Sequence, residues 1–363
     1  MPRNGSGRLR VVVVNLGFHP EIRDGEELVQ RYYPLRECAE AVAGAGAEVV
    51  VVQAFRRDQS FVRSDVRYRM VRAGGAYRIG RWAPRRRLQD VVVAERPRVV
   101  HLNGLCYPIQ TGSLGRRLPR GVALVVQHHA EEPEAGAVAW LQRFGLRGAT
   151  GFFFASEEQA EPWRSTGVVT PDQPVVVVPE LSTRFERRDR GDSRRRSGVD
   201  AAPAFLWVGR LDEVKDPLTV LEGFAAHLAR QPEARLYMVF QGGGIEREVR
   251  ARVSDAADLR AGVELVGAVD HGELEYFFSA ADYFLLGSRR EGWSAALVEA
   301  MACGCVPIVT DIPANREMTR RGEVGELWSP GDPSALIAAL ERATSRSAAD
   351  EGDRVRAHFE RHL

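Results

Sequence analysis

YFLLGSRREGWSAALVEAMACGCVPIVT, residues 283–310, decides the fold. Its first four residues are apolar and run straight into a polar, glycine-bearing turn, as a short strand buried on both faces would. From Ser294 an Ala-, Leu- and Met-rich stretch continues to Cys303 and stops at Gly304, the pattern of a helix with a glycine just past its end. A second apolar run, 306–309, follows at once. Strand, helix and strand in that order make a unit of two parallel strands joined by a helical crossover.

The same alternation extends in both directions. Short Val-, Leu- and Ile-rich runs fall at 10–14, 48–52, 99–102, 124–126, 151–154 and 175–178, and again at 205–208, 236–240, 263–266, 283–286 and 306–309. Longer Ala-, Arg- and Glu-rich amphipathic stretches separate them. The expected fold class is therefore α/β, with two Rossmann-like domains of parallel sheet flanked by helices. A chain of 363 residues has room for two such cores. Residues 183–203, rich in Arg, Asp, Ser and Gly, offer little to bury and read as a linker between a first domain at 1–182 and a second at 204–350.

Composition narrows the class. The apolar fraction of 44% is ordinary for a globular protein, and no apolar run approaches the ~18 residues of a membrane span. The apolar run after the basic N-terminus is too short for a signal peptide. Four scattered cysteines, Cys38, Cys106, Cys303 and Cys305, make no disulfide framework, so a cytoplasmic protein is expected. Cys303 and Cys305 read as buried thiols, because no second ligand pair lies at zinc-site spacing. Net charge is +1, yet residues 54–88 hold eleven arginines, among them Arg78 and Arg81, against Asp58 and Asp65. That stretch is either a solvated face or a surface for an anionic or lipid-linked acceptor at the inner membrane face. No nucleic-acid partner is expected.

In open parallel sheets ligands bind beyond the carboxyl ends of the strands. Gly209, Arg210 and Lys215 follow one run, Gly243 another, and Glu291, Gly292, Trp293 and Ser294 a third. Arg210 and Lys215 suit a diphosphate, one as a planar fork and the other as a compact point charge. Lys215 is the single lysine among fifty basic residues, which points to a position where an ammonium is needed. The helix start at 292–294 offers backbone N–H groups and the positive end of a dipole to a phosphate or to sugar hydroxyls. Glu291 and Glu299, eight residues apart, can point along one edge of a cleft and accept hydrogen bonds from vicinal hydroxyls. In the first half, His128 and His129 end the run at 124–126, with His129 the better fit by spacing. Gly17, His19 and Asn103 end other runs, and His19, Asn103 and His128 are acceptor-side candidates.

The segment from Glu291 to Pro307, with two glutamates eight apart and then Ala-Met-Ala-Cys-Gly, resembles the signature of retaining glycosyltransferase family 4. Val208 to Lys215 resembles the phosphate site of the same family, and the likeness covers roughly residues 205–333. The resemblance implies the GT-B arrangement of two Rossmann-like domains facing across a cleft, with a terminal helix at 351–363 packing back on the first domain. It implies a nucleotide-diphosphate sugar of UDP or GDP type as donor substrate and no separate cofactor. Arg210 and Lys215 would bind the diphosphate, Glu291 the donor sugar and Glu299 the ribose, with Leu297 and Val298 beside the nucleotide. His129 would face the donor sugar and join Arg210, Lys215 and Glu291 in catalysis. The first half departs from the family: a single Gly17 stands where paired glycines are common, and Pro179-Glu180-Leu181 where Asn-Gly is common.

No Asp-x-Asp clamp follows a strand, so no metal is expected and the leaving diphosphate is offset by Arg210, Lys215 and helix N–H groups. The expected reaction moves the sugar to a hydroxyl acceptor with retention, by attack on the same face as the departing phosphate. The alternatives are a nucleotide-sugar epimerase of the same fold and a non-catalytic nucleotide-sugar-binding protein.

Overall fold

The computed structural model describes residues 8–73 and 84–363, so Arg78 and Arg81 of the basic stretch lie outside the described residues. The chain divides into two compact units, Met1–Leu181 and Ser182–Leu363.

In the first unit the strands are β1 (Arg10–Asn15), β2 (Glu48–Phe55), β3 (Gln59–Arg63), β4 (Val66–Arg72), β5 (Val99–Asn103), β6 (Ala123–Gln127), β7 (Gly151–Phe154) and β8 (Val175–Val177). They form one sheet in the order β3-β4-β2-β1-β5-β6-β7-β8, parallel except where β3 runs against β4. Consecutive side chains on a strand point to opposite faces. The valines of β1 therefore divide: Val12 and Val14 enter one apolar cluster with Val50, Val100 and Trp163, while Val11 and Val13 enter another with Val49, Leu28 and Tyr68. Such a run is unpatterned because both faces are covered.

The hairpin β3–β4 is the largest departure from the strand pattern expected. Its turn residues Ser64 and Asp65 both have positive φ, 48° and 61°, the conformation whose twist suits a two-residue hairpin. On β4, Val66, Tyr68 and Met70 are buried while Arg67 and Arg69 alternate with them. The arginines hid this period-two signal. Arg67 pairs with Glu48 and Glu95 at 3.1 Å, Arg69 with Glu95 at 3.1 Å, and Arg87 with Asp58, so part of the basic stretch is neutralised within the unit.

The second unit holds β9 (Ala204–Gly209), β10 (Arg235–Phe240), β11 (Val263–Gly267), β12 (Tyr283–Leu286), β13 (Val306–Thr310) and β14 (Glu326–Trp328), all parallel in the order β11-β10-β9-β12-β13-β14. Phe205, Trp207, Phe224, Leu236 and Tyr283 centre its core. Fully burying one such side chain stabilises by about 1.5–3 kcal/mol.

The segment expected as a linker belongs to this unit and carries the helix Arg190–Ser197. It has little to bury and is held by charge instead. Arg188 pairs with Glu275 at 2.7 Å and Arg190 with Asp282 at 2.5 Å, while Arg196 grips Glu273 and lies 4.0 Å over the Tyr276 ring. The last helix, Ala348–His362, packs in the second unit against the helix Ala295–Ala302 and β13. Among the described residues no helix is long and apolar enough to cross a membrane.

Each sheet has a point where strand order reverses. In the first unit it lies between β1 and β5, and in the second between β9 and β12. A crevice opens outside the strand ends there, because the connecting helices leave to opposite faces.

Candidate functional site

In the first unit a cavity of about 400 Å³ sits at the carboxyl ends of β1, β5 and β6, lined among others by Asn15, Gly17, His19, Asn103, His129, Glu131 and Glu180. His129 is bound at both ring nitrogens, Nδ1 lying 2.9 Å from Glu180 Oε2 and Nε2 3.0 Å from Asn103 Oδ1. Asn103 in turn donates its amide to Asn15 Oδ1 at 2.5 Å, so its oxygen faces the imidazole. Both neighbours of the ring are acceptors, which favours the doubly protonated imidazolium. Burial opposes the charge, but the hydrogen bond and charge of Glu180, helped by Glu131, outweigh it and raise the pKa of His129 above its ordinary 6.5.

His128 points the other way. It is 3% exposed, stacks on Phe154 at 5.0 Å and places Nε2 2.9 Å from the Glu131 carbonyl, and burial lowers its pKa. Two successive residues at a strand end face opposite sides of the sheet, so only His129 reaches the cavity. His128 is a core histidine, and its acceptor-side placement is corrected accordingly. His19 does line the cavity, with Nδ1 2.8 Å from the hydroxyl of Tyr32. Gly17 shares the wall, and its carbonyl accepts from Gln53 at 2.6 Å.

In the second unit the loops leaving β9 and β12 meet. Lys215 Nζ forms an ion pair with Glu291 Oε1, and Ser288 Oγ donates to the same oxygen at 2.6 Å. Thr310, at the end of β13, holds the Ser288 carbonyl at 2.6 Å, and Arg289 pairs with Asp216 at 2.8 Å beside Lys215. Gly243 supports this loop from β10: its φ is +149°, and a Cβ there would lie 1.9 Å from the Leu211 carbonyl oxygen. Leu211 also accepts a hydrogen bond from Ile245 and donates to Gly242, which closes the loop after Gly209.

Lys215 and Glu291, 76 positions apart, thus come together, whereas Arg210 stays 73% exposed and pairs with Asp212 at 2.9 Å. Glu299 has a different partner from Glu291. Its carboxylate, 2% exposed, lies 2.7 Å from Nε2 of His271, a residue that sequence reasoning passed over. Ser294 caps the helix Ala295–Ala302 through its side chain to Leu297 N, and its carbonyl takes Val298 N. Trp293, Leu297 and Val298 are buried. Leu297 and Val298, expected beside a nucleotide, have side chains at zero exposure, because this helix is covered by its sheet on one side and the helix Ala348–His362 on another.

The remaining missed residues are Asn15, Glu131, Glu180 and Ser288. Asn15 ends a strand and the other three follow one, and that position was the available signal. Cys303 and Cys305 are buried free thiols with pKa values pushed up by burial, Cys303 to about 12. Among the described residues no group of three or more His, Cys, Asp or Glu side chains is placed to hold a metal ion.

The family model for glycosyl transferases group 1 matches residues 189–356, and that for the glycosyl transferase 4-like domain matches residues 34–180. The chain is 30% identical over 179 residues to a D-inositol 3-phosphate glycosyltransferase of Thermobispora bispora, covering 47% of this chain and 42% of that one. It is 32% identical over 242 residues to a phosphatidyl-myo-inositol mannosyltransferase of Mycolicibacterium smegmatis, covering 58% and 60%. The matches therefore span roughly half the length of these relatives. Among solved structures, Anabaena Alr3699/HepE in complex with UDP superposes with a TM-score of 0.69 at 16% identity, over 98% of this chain and 95% of that one, a likeness of fold. With two parallel-sheet units, each matched by a glycosyltransferase model, the chain belongs to the family 4 type of glycosyltransferases, with the GT-B fold.

Proposed function

We propose that this protein moves a sugar from a nucleotide-diphosphate sugar of UDP or GDP type to a hydroxyl of a polyol acceptor, with retention at the anomeric carbon and without a metal ion. The observation that carries the reading is the Lys215–Glu291–Ser288 cluster at the switch point of the second sheet. An ammonium there offsets the charge that develops on the leaving diphosphate, and Arg210, exposed nearby in sequence, adds a second cation. Glu291 accepts from donor-sugar hydroxyls once Lys215 turns to phosphate. Glu299, oriented by His271, accepts from the ribose hydroxyls.

The acceptor oxygen bonds to the anomeric carbon as the bond from that carbon to the phosphate oxygen breaks, on the same face. The acceptor's proton passes to the departing phosphate, so no protein nucleophile is consumed. In the first unit, His129 carries a positive charge held by Glu180. The names of the relatives, which act on inositol phosphate and phosphatidyl-inositol, support a polyol acceptor, and the UDP in the structural neighbour supports the donor class.

The test is thermal stabilisation of the protein by a panel of nucleoside diphosphates and their sugars in a chelator, beside a Lys215→Ala variant. A shift selective for one base and lost in the variant supports the reading. No shift with any of them overturns it.

A further inference from the structure

Resting on the transferase reading, the inference concerns what the first unit accepts. We propose that its cavity is a site for a polyol bearing free hydroxyl or amino groups, and that it rejects acceptors phosphorylated on the part it encloses.

The cavity has the size of a small-ligand site at about 400 Å³. Among the described residues that line it, the carboxylates Glu131 and Glu180 are present and no lysine or arginine is. Of its two histidines, His19 faces the Tyr32 hydroxyl through Nδ1, and His129 is bound at both ring nitrogens. Nδ1 of His129 faces Glu180 and Nε2 faces Asn103, so neither N–H is left for an incoming anion. Arg85 donates to the carbonyl of Leu16 and is not part of the lining.

Two buried polar atoms of lining residues have no partner: Glu180 Oε1, an acceptor, and Asn15 Nδ2, a donor. A buried polar group left unpaired is costly, so this pair specifies what should fill the space. Separate hydroxyls of one polyol serve both, one donating to Glu180 Oε1 and another accepting from Asn15 Nδ2. An ammonium serves Glu180 better still, since a charge-assisted bond is roughly twice as strong as a neutral one. A phosphate has only acceptors to offer Glu180 and brings like charge to both carboxylates.

The test uses two matched trios as probes: myo-inositol, its monoamino analogue and myo-inositol 1-phosphate; glucose, glucosamine and glucose 6-phosphate. Binding is followed by calorimetry and saturation-transfer NMR, with nucleotide-induced thermal shift measured separately. The neutral and amino members are expected to bind, the amino member tightest, with the phosphates weaker by about tenfold or more. Glu180→Gln keeps an oxygen for His129 Nδ1 and is expected to erase the amino preference while leaving the nucleotide shift in place. Phosphates binding as well as their neutral counterparts overturns the proposal, as does a panel in which no neutral or amino member binds. A protein that ignores nucleotides yet holds amino polyols through Glu180 keeps this proposal and loses the transferase reading.

Discussion

Nδ1 of His129 lies 2.9 Å from Oε2 of Glu180, an ion pair reaching across 51 positions of the chain. Burial opposes the imidazolium and the carboxylate more than compensates, so the folded-state pKa stands above 6.5. A histidine raised in this way contributes stability that is fully present below pH 6.5 and is lost as pH rises through the folded value. In Glu180→Gln only burial remains as the large influence, and the His129 titration, followed by NMR of the imidazole, is expected to fall below 6.5. An unmoved midpoint would rule out Glu180 as the cause.

Lys215→Ala removes the ammonium and leaves Glu291 with Ser288 and no lysine. Loss of one charged contact to the leaving diphosphate should lower kcat/KM by roughly 10–150-fold. Lys215→Arg is expected to restore little, because a planar fork does not fit where a compact charge sits between Glu291 and the loop. Steady-state kinetics with a saturating acceptor check this, and full rescue by arginine would show that any cation suffices.

Gly243→Ala tests the loop that supports Lys215. The backbone at φ +149° excludes side chains, and the new methyl would collide with the Leu211 carbonyl, so a loss of about 2–4 kcal/mol is expected in urea unfolding. Gly244→Ala is the control, since nothing lies within 4 Å of its Cβ position, and it should stay within about 0.5 kcal/mol of the parent.

Glu95→Ala addresses the basic stretch. It releases Arg69 and half of the partners of Arg67, whose side chains are 39% and 40% exposed. With solvent screening both guanidinium groups, the expected loss is about 1–2 kcal/mol in urea unfolding. Unchanged stability would mean that these arginines are free to serve a ligand.

The sequence by itself determined the α/β class, the two cores and most strand positions, because burial on both faces forces unpatterned apolar runs such as 11–14 and 283–286. It also singled out Lys215, Glu291 and His129 as candidates, since ligands bind beyond the carboxyl ends of strands in a parallel sheet, and Glu299 through its spacing from Glu291. Regularity failed where charge replaced burial. The arginines of β4 disguised a strand, and ion pairs to Glu273, Glu275 and Asp282 ordered a segment that composition marked as a linker.

Only the tertiary structure decided partnerships. Lys215 with Glu291, His271 with Glu299, and Asn15 through Asn103 and His129 to Glu180 join residues 26 to 88 positions apart. Choosing between His128 and His129 required the sheet as well, because adjacent side chains differ only in which face the pleat assigns them. A hydrogen bond depends on distances of tenths of an ångström, and those are set by how strands and loops pack. Local sequence encodes the element, and packing encodes the pair.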